Sequence, residues 1–218
     1  MVISPTEENY LKAIYHLQAL SEVVSTTHLA QKLQTKPASV TDMMKKLQAK
    51  NLLHYTPYHG FSLSAEGRKT ALHIVRRHRL WEYFLAEKLS FEWNEVHEVA
   101  EELEHIGNKK LIEKLDAYLG FPQFDPHGDP IPDSRGRMQQ PELVPLSTAP
   151  IAFTGVLQLV TDQSKDLLEH LASRKLRIGT RLELRSRSAF DGSVDIKMGS
   201  KTLTLTRQLA NHLLLKQI

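Results

Sequence analysis

The feature that most constrains this chain is the run from Ser4 to Leu63, where three short amphipathic helical segments, each with its own start signal, precede two strand-like stretches. Ser4-Pro5-Thr6-Glu7 sets a capping hydroxyl, a first-turn proline and a glutamate three residues on, the pattern of a capping box. Leu11, Ile14 and Leu17 follow as one apolar face. A second helix is expected from Ser25 or Thr26, carrying Leu29, Ala30 and Leu33 and ending in the polar turn Gln34-Thr35-Lys36. Pro37 starts a third, running to about Lys50, with Val40, Met43, Met44 and Leu47 inward at helical spacing. After Asn51, Leu52 to Thr56 and Phe61 to Leu63 read as a hairpin around Pro57-Tyr58-His59-Gly60. Three helices and a hairpin make a winged helix-turn-helix.

Such a module lays its third helix in the major groove of DNA, where Lys and Arg hold phosphate and short polar side chains read base edges. The outer face of the third helix carries Lys36, Ser39, Thr41, Asp42, Lys45 and Lys46. Ser39, Thr41 and Asp42 are the expected base readers. Lys36, Lys45 and Lys46, with Tyr58 and His59 of the wing, are expected at phosphates or in the minor groove. Pro37 and Ala38, and Thr26 and Thr27 of the second helix, complete the DNA-facing set. The charge agrees: residues 1–90 hold twelve Lys and Arg against seven Asp and Glu. A solvated face in a protein-interaction module is the competing reading.

Residues 91–120 reverse the sign, with three Lys against eight Asp and Glu, and the eleven histidines concentrate in the first 130 residues. There is no cysteine, so disulfides, thiolate metal sites and thiol nucleophiles are excluded, and any metal must use nitrogen and oxygen. Ser64 caps a long helix expected to pass through Arg68, Leu72, Val75, His78, Trp81 and Phe84 to about Leu89. Phe91 to Ile106 is expected as one acidic helix containing V-H-E-V-A-E-E-L-E-H, and Lys109 to Leu119 as a shorter one. At about 100° per residue, His97, Glu101, Glu104 and His105 project within one sector of about 100°. Carboxylates crowded in this way repel unless a cation lies between them. His78 and Glu82, four residues apart, share a face of the preceding helix, giving a two-centre metal site. The same residues could instead solvate exposed helices. Such a donor set suits Mn, Fe, Co, Ni or Zn, and its oxygen content leans toward Mn.

From Phe121 to about Pro150 the chain is rich in Pro, Gly and Asp (DPHGDPIPDSRG) and reads as loop and linker. Beyond it, Ala152 to Val160, Arg181 to Arg187, Val194 to Met198 and Thr202 to Thr206 read as strands, with a helix from Gln163 to Ser173, forming a small SH3-like β-barrel. The expected fold is mainly α with a C-terminal β domain. Its parts are a winged helix-turn-helix over 1–72, a helical metal-binding domain over 73–140, a linker over 141–150 and the barrel over 151–218. No window reaches 18 continuous apolar residues and MVISPTEENY lacks the marks of a signal peptide, so a cytoplasmic protein without membrane partner is expected. With no nucleophile motif, phosphate-cradling glycine loop or Ser/His/Asp arrangement, neither an enzyme nor a small-molecule substrate is expected.

These residues resemble the diphtheria-toxin-repressor and manganese-transport-regulator family across essentially the whole chain. The resemblance is carried by T-E-E-N-Y-L-K-A-I-Y, P-A-S-V-T-D-M-M-K-K-L, L-S-A-E-G, R-R-H-R-L-W-E-Y-F-L, V-H-E-V-A-E-E-L-E-H and D-P-H-G-D-P-I-P. It implies an activating metal site at Asn9, Glu101, Glu104 and His105, and an ancillary one at His78, Glu82 and His97, to which Asp162 or Gln163 of the barrel adds a ligand. Three positions depart from relatives. Asn9 stands where Asp or Met is usual. Lys12 replaces the carboxylate of some manganese regulators, which favours a separated pair of metals. Glu101 stands where iron-responsive members often have Cys, which favours Mn(II) over Fe(II). The resemblance further implies a homodimer, with Trp81, Phe84, Phe91 and Trp93 as interface or core residues, and a palindromic operator controlling metal-ion uptake genes. In the expected mechanism, metal bridges the first helix to the acidic helix; without metal, the carboxylates repel. The alternatives are an Fe(II)-responsive repressor and a metal-independent winged-helix regulator.

Overall fold

In the computed structural model, which describes residues 3–19, 21–56 and 60–218, the chain separates into two units. The first comprises Met1–His78, Glu101–Ile112 and Pro132–Arg137; the second comprises Arg79–Ala100, Glu113–Ile131 and Met138–Ile218.

The first unit begins with α1 (Pro5–Gln18), which has the expected capping box: the Glu7 N–H donates to Ser4 Oγ at 3.3 Å and the Ser4 N–H donates to Glu7 Oε2 at 2.8 Å. The Ser25 hydroxyl caps α2 (Thr26–Lys32) by accepting from the His28 N–H at 3.2 Å. Helix α3 (Pro37–Ala49) opens on a proline, tolerated there because first-turn N–H groups have no intrahelical partner. Val40, Met44 and Leu47 are fully buried and Met43 packs at their edge. Strands β1 (Leu53–Thr56) and β2 (Gly60–Leu63) pair antiparallel as the wing, with Leu53 opposite Leu63. Val24 and Phe61 exchange both backbone hydrogen bonds, at 2.9 and 3.0 Å, and so pin the wing to the segment before α2. Tyr58 and His59 lie outside the described residues.

Ser64 caps α4 (Ala65–Leu89) through a 3.0 Å bond from the Gly67 N–H. A Cβ on Gly67 would lie 1.8 Å from the Leu52 carbonyl oxygen, so glycine alone lets α4 start against the chain entering β1. Leu11, Ile14, Leu29, Met44, Leu47, Phe61 and Ile74 fill the core of this unit. Each such side chain contributes roughly 1.5–3 kcal/mol by leaving water.

The acidic helix is shorter than expected. Instead of Phe91 to Ile106, α5 covers Val96–Leu103. The cause lies at both ends. Ser90 adopts φ 58°, the Glu92 N–H donates to the Glu95 carboxylate at 3.1 Å, and Trp93 is buried in the core of the second unit. At the other end the Ile106 N–H closes a turn onto the Leu103 carbonyl. Helix α6 (Lys109–Tyr118) follows much as expected.

The second unit centres on an antiparallel sheet of β3 (Val144–Pro145), β4 (Thr154–Val160), β5 (Arg181–Arg187), β6 (Val194–Met198), β7 (Lys201–Leu205) and β8 (Leu213–Gln217), with α7 (Lys165–Ser173) and α8 (Arg207–Asn211) in the connections. The spatial order is β3-β8-β4-β5-β6-β7. The expected small β-barrel is therefore corrected to an open six-stranded sheet, consistent with an SH3-like domain, in which β3 and β7 are end strands. Bulges between Leu157 and Leu159 and between Leu184 and Ser186 shift the register of β4 and β5. Leu157, Leu168, Leu171, Leu184, Ile196, Leu213 and Leu215 fill that core together with Trp93. The Pro-, Gly- and Asp-rich stretch is ordered rather than a plain linker. Asp125 accepts from the N–H groups of His127 and Asp129, both at 2.9 Å, and Asp133 accepts from those of Arg135 and Arg137 at 2.8 and 2.9 Å. Strand β3 falls within the residues read as linker. Among the described residues no helix is long and apolar enough to cross a membrane.

Candidate metal centre

Within the first unit, Glu104 is completely buried and lies just past the last residue of α5. A lone ionised carboxylate there would cost several kcal/mol, so its partners decide its state. His78 Nδ1 lies 2.7 Å from Glu104 Oε2 and 4.0 Å from Glu101 Oε1. Lys12 Nζ donates to Glu101 Oε1 at 2.6 Å and to both Glu104 oxygens at 2.7 Å. Burial raises the Glu104 pKa, but the His78 hydrogen bond and the Lys12 charge outweigh it and hold the carboxyl below its ordinary value. The expectation that these carboxylates repel one another without metal is corrected: the Lys12 ammonium spends its three donors on them.

Two observations test whether these residues fit a metal. His105 Nδ1 lies 2.7 Å from Glu8 Oε2, and Arg77 Nη2 donates to Glu8 Oε1 at 2.6 Å. That leaves His105 Nε2 directed at Glu104, 4.0 Å from Oε1. Holding one imidazole nitrogen on a carboxylate while the other faces the donor cluster is the usual support for a metal-ligating histidine. Second, Asn9 Oδ1, one turn before Lys12 on α1, is buried and accepts no hydrogen bond. An unsatisfied buried oxygen is costly unless a ligand completes it. The first unit thus groups Glu101, Glu104 and His105, and it adds His78, which the sequence reading had assigned to the ancillary set.

The second unit holds a further cluster. Glu82, Asp125 and His127 are all buried, and each offers one ligand atom within 4.8 Å of the others. His127 Nε2 lies 2.7 Å from the Trp93 carbonyl oxygen, which can only accept, so Nε2 carries the proton. His127 Nδ1 is buried without a hydrogen-bond partner, 3.9 Å from Glu82 Oε2. His97 Nδ1 lies 3.1 Å from Glu82 Oε1. Burial and the neighbouring carboxylates of Glu82 and Asp129 push the Asp125 carboxyl well above its ordinary pKa, against the pull of Arg79. Gly128 sets the loop: its φ is 92° and a Cβ would lie 1.7 Å from the Gln158 carbonyl oxygen on β4.

Glu82 and His97 therefore lie together, while Asp162 and Gln163 each bond other groups. Asp162 accepts from the Ser164 N–H at 2.9 Å, which lowers its pKa, and Gln163 donates to Asp129 at 2.6 Å. Asp125 and His127 were missed because the sequence marks their segment only as a turn. Their signal is an Asp and a His two residues apart beside a glycine, in a chain whose metal ligands must be oxygen and nitrogen.

On the candidate DNA face, Thr27, Lys36, Pro37, Ala38, Ser39, Asp42, Lys45 and Lys46 are exposed and Thr26 and Thr41 half-buried. The Thr41 hydroxyl donates to the Pro37 carbonyl at 3.1 Å, and Lys46 Nζ lies 3.4 Å from Glu7 Oε1. Of the aromatic residues weighed for an interface, Trp93 is core, Phe91 is exposed, and Trp81 and Phe84 meet edge to face at 5.8 Å.

Residues 2–61 match the domain family described as iron dependent repressor, N-terminal DNA binding domain. Residues 64–133 match the iron dependent repressor metal binding and dimerisation domain, and residues 144–217 match the FeoA domain. An uncharacterized HTH-type transcriptional regulator of Methanocaldococcus jannaschii is 33% identical over 118 residues, 54% of this chain and 94% of that protein. The iron-dependent repressor IdeR of Mycobacterium leprae is 29% identical over 127 residues, 58% of this chain and 55% of its own, so this match spans about half of that repressor. A solved manganese-dependent transcriptional repressor, in complex with manganese, superposes with a TM-score of 0.87 at 33% identity, covering 97% of this chain and 100% of that one. With both repressor domains and the FeoA domain in sequence on one chain, this protein belongs to the family of metal-dependent DNA-binding transcriptional repressors that includes the diphtheria toxin repressor and IdeR.

Proposed function

We propose that this chain is a Mn(II)-activated repressor, acting as a homodimer on a palindromic operator of metal-ion uptake genes. The observation that carries the reading is the grouping of Glu101, Glu104, His105 and His78 in the unit that also contains α3, together with a buried, unsatisfied Asn9 oxygen one turn before Lys12 on α1. Asn9, Glu101, Glu104 and His105 would hold the activating ion, with His78 beside them. Glu82, Asp125, His127 and His97 would hold a second. When bound, a divalent cation would supply the charge that neutralises the paired carboxylates of Glu101 and Glu104, with Asn9 of α1 as a further ligand. The protein's own residues do the rest: Glu8 orients His105, the Trp93 carbonyl orients His127, and Glu7 holds α1 to Lys46 and Lys50 at the end of α3. Metal shifts the population toward the DNA-competent arrangement only by binding that arrangement more tightly, and DNA must reciprocally tighten metal.

Mn(II) is favoured by an all-oxygen and imidazole donor set with Glu at position 101. Fe(II) is the second reading, supported by the iron-dependent relatives. Exposed Leu89, Phe91, Tyr118 and Phe121, all four inside the segment matching the dimerisation domain, suit a second copy; a two-fold dimer then reads two half-sites. Calorimetric titration of Mn(II), Fe(II), Zn(II) and Co(II) into chelator-stripped protein tests the proposal. Stoichiometric Mn(II) binding supports it; DNA binding that is indifferent to chelator selects the metal-independent regulator instead.

A further inference from the structure

Lys12 is one of the few buried cations in the first unit, with its side chain 11% exposed. Its ammonium touches three carboxylate oxygens, two on the fully buried Glu104 and one on Glu101, at 2.6–2.7 Å. Those oxygens belong to the residues assigned to the activating metal. A sequence with a carboxylate or an apolar residue at this position would leave two acidic groups facing each other; this one supplies a cation on a tether.

We infer that Lys12 is an intramolecular counter-cation that occupies the Glu101–Glu104 site in the metal-free protein and is displaced when metal binds. The inference rests on the proposed metal site and adds to it a competitor built into the chain. Metal binding becomes an exchange of one cation for another. While the ammonium is in place, all three oxygens are engaged and a dipositive ion beside it would be repelled. The apparent affinity is the intrinsic affinity reduced by the fraction of molecules in which Lys12 has left. Lys12 therefore sets the metal concentration at which the protein responds. Lys12 also links α1 to Glu101 and Glu104, so its displacement exchanges a lysine link across this junction for a metal one.

The first test uses the wild-type protein. Acetylation by an N-hydroxysuccinimide ester, mapped residue by residue by mass spectrometry, is expected to be slow at Lys12 in chelator-stripped protein and to rise several-fold with saturating Mn(II). The exposed Lys45 and Lys110 serve as internal references. Lys12 labelling that falls or stays constant with Mn(II) overturns the inference.

The second test compares wild type with Lys12→Met. The variant is expected to melt roughly 5 °C or more lower without metal, because it strips a buried carboxylate of its partner. It is also expected to bind Mn(II) about tenfold or more tightly, because the competitor is gone. Lys12→Arg, which keeps the charge, is expected to retain most of the metal-free stability. Weaker or unchanged Mn(II) binding by Lys12→Met, with wild type binding normally, makes Lys12 a mere support of the ligands and contradicts the displacement. Absence of Mn(II) binding by wild type and variant alike defeats the metal-site reading itself.

Discussion

Glu7 on α1 accepts from Lys50 at the end of α3, with Lys50 Nζ 2.7 Å from Oε1 and 2.9 Å from Oε2, while its neighbour Glu8 holds His105. Two adjacent carboxylates on one helix thus serve the candidate DNA-reading helix and the candidate metal ligand. Glu7 is 1% exposed, yet its pKa falls from 4.5 to about 2: burial raises it, but Lys50, the Ser4 N–H and Lys46 together prevail. A carboxyl with a depressed native pKa contributes stability above its unfolded value, and loses it as pH falls through the native one.

Replacing Glu7 with Gln is accordingly expected to destabilise the protein by on the order of 3 kcal/mol at neutral pH. Denaturant unfolding of both proteins across pH should show the difference whole above about pH 5 and shrinking toward pH 2. A difference that does not vary with pH would assign the loss to packing instead.

Asp125→Asn removes one of the carboxylates crowded around Glu82 in the second unit. In metal-free protein the substitution is expected to raise the melting temperature, since it relieves repulsion among buried charges. Its Mn(II) stoichiometry, read by calorimetry, should fall by one ion per chain.

Gly128→Ala places a methyl group against the backbone oxygen of Gln158 at a positive φ. The loop bearing Asp125 and His127 must then move, at a cost of roughly 2 kcal/mol or more. Thermal unfolding and the loss of the same second ion, with the first retained, would register the change.

Lys36→Ala and Ser39→Ala separate holding from reading on α3. The lysine change is expected to weaken binding to all DNA sequences alike and to lower the slope of log affinity against log salt by about one. The serine change should leave that slope alone and alter discrimination at one base pair, as measured with substituted operators.

The local signals were strongest where one residue decides one backbone feature. Ser4, Ser25, Pro37 and Ser64 each marked a helix start that the structure retains, and the α4 and β5 boundaries agree closely with the periodicity. Periodicity failed where local and tertiary anchors overrode it: Trp93, buried with the sheet, delayed the start of the acidic helix, and the turn from the Ile106 N–H to the Leu103 carbonyl left His105 past its end, so an ideal helical wheel no longer described it. Strand β8 was not foreseen because Leu213-Leu214-Leu215 lacks alternation, and it became central by pairing with β3 and β4. Spacing and resemblance had named Glu101, Glu104 and His105 for the candidate first site, whereas His78, which lies 2.7 Å from Glu104, had been assigned to the ancillary set. The cationic role of Lys12 was not legible, because its partners lie 89 and 92 residues away in sequence.

The central claim is that metal at Glu101, Glu104 and His105 controls DNA affinity. Fluorescence anisotropy of a labelled palindromic operator, at fixed salt with and without Mn(II), tests it most directly in wild type and Glu104→Gln. The account predicts Mn(II)-dependent binding by wild type that Glu104→Gln loses while remaining folded; operator binding that ignores Mn(II), or that Glu104→Gln leaves equally responsive, would contradict it.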